Sequence, residues 1–311
     1  MGRIRYQSAI VIASALALAS AALFAQSTFK VDVKLVRLLV TVKDSKGTLM
    51  GSLEKPDFTV YDSGVKQEVA VFEHHTALPL SVALLIDTSG STATNLRYET
   101  TSLEKFLRAL IREGNPNDAV ALYAFNDEVT RLNSFTRREE RLNESLRTLK
   151  ARAGTSLYDA VHLASRDLNG REGRHVIVAV TDGGDTTSVK NYADAFESAQ
   201  NADAILYPIL VVPITNDAGR NLGGERALDS LAAGTGARVF QPMGASELDQ
   251  AFTQILRDLR TQYLVGYYPR NLPPDTPKFH PVRVELSRKD LRATTRTGYY
   301  GDAPLTGKAA R

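Results

Sequence analysis

The stretch Val82-Ala83-Leu84-Leu85-Ile86-Asp87-Thr88-Ser89-Gly90-Ser91 decides how the rest of the chain reads. Five apolar residues in a row, with no polar alternation, suit a strand covered on both faces, as in a parallel sheet. The run stops at an acid, two hydroxyls and a glycine, and an amphipathic segment follows from Leu96 to Ile111. The acid and the hydroxyls therefore stand where a strand hands over to a helix, the edge of an open α/β sheet at which ligands bind. Asp87, Ser89 and Ser91 can turn their oxygens toward one point. Such hard oxygen donors suit Mg²⁺, Mn²⁺ or Ca²⁺ rather than zinc. Read alone, the same residues also suit a plain helix cap, a role open to Thr94 or Asn95 as well.

Outward from this stretch, residues 80–260 alternate strand and helix. Apolar runs at Ala119–Phe125, His175–Val180 and Ile205–Val212 read as strands, with Val129–Phe135 as a short one and Val239-Phe240 as an edge. Helical spacing marks 137–150, 157–168, 193–202, 226–233 and 248–259. This alternation predicts a doubly wound, mostly parallel α/β sheet. Two further polar groups fall on the same edge. Thr155 lies in a Gly-Thr-Ser turn that opens a helix, and Asp182 follows a buried strand and precedes two glycines. Asp185 has no place in this group and reads as a solvated turn residue.

Residues 80–260 resemble the von Willebrand factor type A (VWA) domains. Their metal-ion-dependent adhesion site (MIDAS) is an Asp-x-Ser-x-Ser run with a distant Thr and a distant Asp. Here Asp87-Thr88-Ser89-Gly90-Ser91, Thr155 and Asp182 fill all five positions in order. The resemblance implies that Ser89 and Ser91 bind a metal directly and that Thr155 does so directly or through water. Asp87 and Asp182 would balance the charge. The expected cofactor is Mg²⁺, or Mn²⁺ or Ca²⁺, and the expected partner is a protein offering a Glu or Asp carboxylate to the remaining coordination position. A ligand-linked shift of the final helix, residues 246–260, is a further implication.

The flanks read as β structure. In 29–79, Val31 and Val33 alternate with polar residues, Leu35–Val42 is apolar, and Phe58–Tyr61 and Val69–Phe72 read as a hairpin about Asp62-Ser63-Gly64. In 261–301, Tyr263–Tyr268, Val282–Leu286 and Leu291–Tyr300 read as strands, with a proline-rich loop from Pro269 to Pro281. A piece as short as 29–79 is small for its own core. The two flanks are therefore expected to form one smaller β-sandwich-like domain into which the 80–260 unit is inserted. With Asp57–Gly64 before that unit and Tyr263–Pro269 after it, the layout is similar to exported bacterial "VWFA-related" proteins. His74 and His75 read as solvated linker histidines. Residues 302–311 are expected to be disordered.

Composition narrows the function. The chain has 311 residues, 43% hydrophobic and 23% charged, an ordinary globular balance. With no cysteine there is no disulfide framework, thiolate metal site or cysteine nucleophile. A formal charge of +3, partly from Arg3 and Arg5, and no basic stripe with interleaved aromatics give no reason to expect nucleic acid. Residues 1–25, with those arginines before an alanine-rich apolar run, read as a secretory signal. The mature chain is expected to be exported, periplasmic or extracellular, without a membrane span.

Enzyme readings fare worse. The Asp-Thr-Ser-Gly and Asp-Ser-Gly runs are too close together for the lobes of an aspartic protease. Ser89 stands where a haloacid-dehalogenase-like phosphatase has its second Asp. No His-Asp-Ser grouping or H-E-x-x-H is evident among the five histidines. The expectation is a non-enzymatic binding or adhesion module. A structural scaffold with an incidental metal site is the alternative, and a metal-dependent hydrolase ranks below both.

Overall fold

The structure, a computed structural model, describes residues 35–74, 78–92, 96–211, 221–273 and 277–301. Residues 1–34 and 302–311, including the expected signal, the alternating Val31 and Val33 and the expected tail, lie outside the described residues, as do His75, Thr94 and Asn95.

The central sheet has five strands in the order β7-β6-β5-β8-β9: β5 (Leu80–Asp87), β6 (Ala119–Phe125), β7 (Val129–Thr136), β8 (Arg174–Thr181) and β9 (Ala204–Leu210). Only β7 runs antiparallel. Every residue of β5, β6, β8 and β9 is buried, which is why these strands read as unbroken apolar runs. Phe240 extends the sheet by one bridge to Ile209.

Among the described residues six helices flank the sheet: α1 (Leu96–Glu113), α2 (Glu139–Leu146), α3 (Leu157–Asn169), α4 (Tyr192–Asn201), α5 (Leu222–Thr235) and α6 (Ala245–Arg260). Alternate residues of β5 feed two cores. Val82, Leu84 and Ile86 pack with Leu103, Phe106 and Leu107 of α1 and Phe252 and Ile255 of α6. Ala83 and Leu85 pack with Leu157, Val161 and Leu168 of α3 and Leu228 and Leu231 of α5. Strand order reverses about β5, between β6 and β8, so the end of β5 at Asp87 stands at the switch point.

The flanks pair with each other. One sheet has the order β12-β1-β10-β4, from β1 (Val36–Asp44), β4 (Val69–Glu73), β10 (Tyr263–Tyr267) and β12 (Leu291–Thr294). The other has the order β13-β11-β2-β3, from β2 (Phe58–Asp62), β3 (Val65–Gln67), β11 (Phe279–Leu286) and β13 (Gly298–Tyr300). Leu38, Val40, Phe58, Val60, Tyr263, Val265, Tyr267 and Val282 share one buried cluster. Each sheet thus mixes strands from both sides of the central unit.

Four details depart from the sequence reading. The Ser63-Gly64 turn, with φ of 49° and 82°, joins β2 to β3, not to Val69–Phe72. Beyond Gln67, whose amide is bonded to the backbone of Arg270, the chain crosses to pair with β10. The Leu291–Tyr300 segment splits between the two sheets, because Arg296 is drawn away to Asp203 at 2.6 Å and to the carbonyl of Arg37. Pro281 belongs to β11 rather than to the loop. Its missing N–H falls before the ladder with β2 begins at Val282. His74 is no solvated linker residue, since its ring packs edge-on against Phe72 and Tyr263.

Tethers join the central unit to the β sheets. Lys43 of β1 meets Asp258 of α6 at 2.9 Å, Gln262 reaches Thr41, and Asp203 binds both Arg37 and Arg296. Among the described residues no helix is long and apolar enough to cross a membrane.

Candidate metal centre

Asp87 ends β5 with its side chain fully buried. Its Oδ1 accepts the Ser89 N–H at 2.8 Å and its Oδ2 accepts the Thr181 hydroxyl at 2.6 Å. The carboxyl is pushed up to about 6, chiefly by burial, and the nearby charge of Asp182 adds to the effect against these hydrogen bonds. The Thr92 hydroxyl closes the turn by donating to the carbonyls of Asp87 and Ser89.

Three loops converge here and are bonded to one another. Thr88 binds the carbonyl of Phe125 through its N–H, and its own carbonyl accepts the N–H of Arg152 at 2.8 Å. This fixes the 152–156 loop beside the Asp87 turn. The N–H of Thr155 donates to Thr186 Oγ1 at 2.9 Å, and its carbonyl accepts the N–H groups of Thr186 and Thr187. The loop that begins at Asp182 is thereby tied to the loop that carries Thr155. All five candidate residues thus sit on one edge of the sheet. Direct side-chain contact joins Ser89 to Ser91, and Thr155 comes to the group through its backbone.

The Ser89 and Ser91 hydroxyl oxygens stand 3.1 Å apart. Adjacent oxygens around an octahedral Mg²⁺ bonded at about 2.1 Å are roughly 3 Å apart, so the pair has the spacing of two neighbouring ligands. Ser89 is buried while Ser91 is exposed, which leaves the pair open on one side. Among the described residues no three carboxylate or imidazole side chains are close enough to hold an ion by themselves. An ion on this edge would therefore need the hydroxyls, and hard hydroxyl and carboxylate donors fit Mg²⁺, Mn²⁺ or Ca²⁺.

Several residues of the edge were not singled out from the sequence. Thr181 anchors Asp87, and Thr186 and Thr187 anchor Thr155. Asp185 is no solvated turn residue, because it accepts the N–H of Tyr158 at the start of α3 and binds both the N–H and the hydroxyl of Ser188. Glu99, on the first turn of α1, is 1% exposed. Its signal was its place on the apolar stripe Leu96, Glu99, Leu103, Phe106, Leu107, Leu110.

A His-Asp-Ser grouping, not evident in the sequence, does form in the β sheets. Asp62 lies beside Ser63 and His280. The Ser63 hydroxyl donates to Asp62 itself, however, and the buried His280 Nε2 has no hydrogen-bond partner. No base is thus placed on the serine, as nucleophilic catalysis requires.

The sequence profile of the von Willebrand factor type A domain matches residues 82–184. No curated protein matches the chain. Among solved structures, proximal thread matrix protein 1 from the mussel byssus is 14% identical, over 64% of this chain and 50% of that chain, with a TM-score of 0.50. The vWF domain of the type V pili tip protein Mfa5 from Porphyromonas gingivalis is 15% identical, over 58% and 95%, with a TM-score of 0.48. The conserved hypothetical protein BatB from Bacteroides thetaiotaomicron is 16% identical, over 58% and 98%, with a TM-score of 0.47. At 14% identity the likeness to the byssus protein is one of fold alone. The chain carries a von Willebrand factor type A domain, matched over residues 82–184.

Proposed function

We propose that this protein is an exported, non-enzymatic binding module that captures a Glu or Asp side chain of a protein partner through a divalent cation. Ser89 and Ser91 would hold the ion directly, with Thr155 directly or through water. Asp87 and Asp182 would balance its charge. The ion's chemistry is that of a hard Lewis acid that takes an outside carboxylate as a further oxygen ligand. The carrying observation is the 3.1 Å hydroxyl pair, one member buried and one exposed, at the end of β5. The apolar run within residues 1–25 fits export.

The test is a thermal melt of the protein in EDTA and then in Mg²⁺, Mn²⁺ or Ca²⁺, with Asp182→Ala alongside. A cation at about 100 times its Kd should add roughly 2.7 kcal/mol to the wild type. A rise in the wild type that is absent from the variant supports the reading. Identical melts with and without cation count against it and favour the scaffold, whose partner binding would persist in EDTA.

A further inference from the structure

A cavity of about 30 Å³ lies where the central unit meets the β sheets. From the central unit its walls take Arg174, the first residue of β8, Gln200 of α4, and Asp203, just before β9. From the flanks they take Arg37 of β1, Thr295 and Arg296. The parallel strands β8 and β9 begin here, so this is the edge of the central sheet opposite to Asp87. One water needs roughly 10–15 Å³ of such room, so the cavity suits an ion of a few heavy atoms rather than a large organic molecule.

The charge of the walls is unbalanced. Three guanidinium groups and one carboxylate leave two net positive charges. Asp203 serves Arg37 at 3.2 Å and Arg296 at 2.6 Å. Arg174, only 6% exposed, has no carboxylate partner. Its Nε and Nη1 donate to the carbonyls of Leu78 and Leu259, and among the described residues its Nη2 makes no hydrogen bond. A buried cation without a counter-ion is costly.

The same walls carry three buried polar atoms without a hydrogen-bond partner: Nε of Arg296, Oγ1 of Thr295 and Oε1 of Gln200. Such atoms are rare and ask for a cause. The first is a donor, the second either donor or acceptor, and the third an acceptor. The Gln200 amide cannot be turned round to offer a donor instead, because its Nε2 donates to the carbonyl of Gly234 at 2.7 Å.

We propose that this cavity binds inorganic phosphate, as the hydrogen phosphate dianion. Two negative charges match the excess on the walls. Arg174, Arg296 and Thr295 would donate to the phosphate oxygens, the charge-assisted bonds that guanidinium groups make best. The phosphate O–H would donate to Oε1 of Gln200. That last bond selects the ligand. Sulfate has the same charge and shape but carries no proton at neutral pH, and a phosphate monoester dianion has lost its proton too. Since the walls come from both sides, bound phosphate would also tie the central unit to the β sheets. The site is independent of the cation at Ser89 and Ser91.

The experiment is isothermal titration calorimetry of the full chain in EDTA, which keeps the cation site out of the readout. Inorganic phosphate, sulfate and glycerol phosphate are the probes, and Thr295→Val and Arg174→Gln run alongside after a melt shows that each folds. Thr295→Val keeps the shape and removes one hydroxyl, so it serves even should Arg174→Gln not fold. Phosphate should bind the wild type, and each variant should weaken it about tenfold or more, the factor for one hydrogen bond to a charged group. Sulfate and glycerol phosphate should bind the wild type weaker by about the same factor, for want of the bond to Gln200. Absence of phosphate binding in the wild type overturns the proposal and leaves the cavity to water. Equal phosphate affinity in wild type and Thr295→Val overturns it by placing the ion elsewhere. Sulfate or the ester binding as tightly as phosphate overturns the role of Gln200 and the choice of the free phosphate ion.

Discussion

The hydroxyl of Thr181, at the end of β8, donates a 2.6 Å hydrogen bond to Oδ2 of Asp87, at the end of β5. The next residue, just past the end of β8, is Asp182. The bond therefore sets the spacing between the two aspartates of the candidate centre. Thr181→Val keeps the shape and removes the donor. A lost bond to a buried charged group costs about 1.5–3 kcal/mol. Urea unfolding in EDTA should show a loss of that order, and the cation-induced rise in melting temperature should shrink.

Acidity gives a second expectation. In the cation-free protein the Asp87 carboxyl is raised from 3.8 to about 6 and the Glu99 carboxyl from 4.5 to about 8, in both cases mainly by burial. A raised carboxyl binds its proton more tightly in the folded chain than in the unfolded one. The stability it contributes is complete below its unfolded value and is lost as pH rises through its folded value. In EDTA, these two groups should lower stability progressively between about pH 4 and pH 8. Melts across that window should flatten in Asp87→Asn and in Glu99→Gln. Saturating Mg²⁺ should flatten them too, since it favours the ionised carboxylates.

The second glycine after Asp182 has a packing role. A Cβ at Gly184 would meet the Cα of Gly224 at 2.8 Å and the side chain of Asn221, which caps α5 by accepting the N–H of Gly224. Gly184→Ala should therefore push the Asp182 loop away from α5. The expected outcome is a folded protein with a lowered melting temperature and a diminished cation response. An alanine variant that matches the wild type in both would show that the loop moves freely.

The β sheets should behave separately. Asp62 is fully buried and accepts the hydroxyls of Tyr267 at 3.0 Å and Tyr299 at 2.8 Å, which ties the N-terminal flank to the C-terminal one. Tyr267→Phe should cost about 1.5–3 kcal/mol, the range for a hydrogen bond to a charged group. The cation-induced shift should stay at the wild-type size, because Asp62 lies in a different sheet from Asp87.

Strands buried on both faces were the easiest to read. Val82–Ile86 and Ala119–Phe125 are unbroken apolar runs because helices cover both sides of the sheet, and their bounds fell within a few residues of the strands observed. The candidate donors were legible because Asp87, Ser89 and Ser91 are close in sequence, Thr155 lies in a turn that opens a helix, and Asp182 directly follows a buried strand. Partnerships set by long-range contact were not. Val69–Phe72 has the alternation of a hairpin strand, yet the pull of Gln67 toward Arg270 sends it to the other sheet. Thr181 reads as one more β-branched residue until β5 is placed beside it. Glu99 reads as a solvated helix acid unless its place on the apolar stripe is noticed.

The most direct measurement is anomalous diffraction from crystals soaked in Mn²⁺. The account expects an anomalous peak at bonding distance from both Ser89 Oγ and Ser91 Oγ, with its open side toward solvent and occupied by water or by a carboxylate from a neighbouring molecule. A fully soaked crystal with no peak between these hydroxyls, or with Mn²⁺ bound only elsewhere, would contradict it.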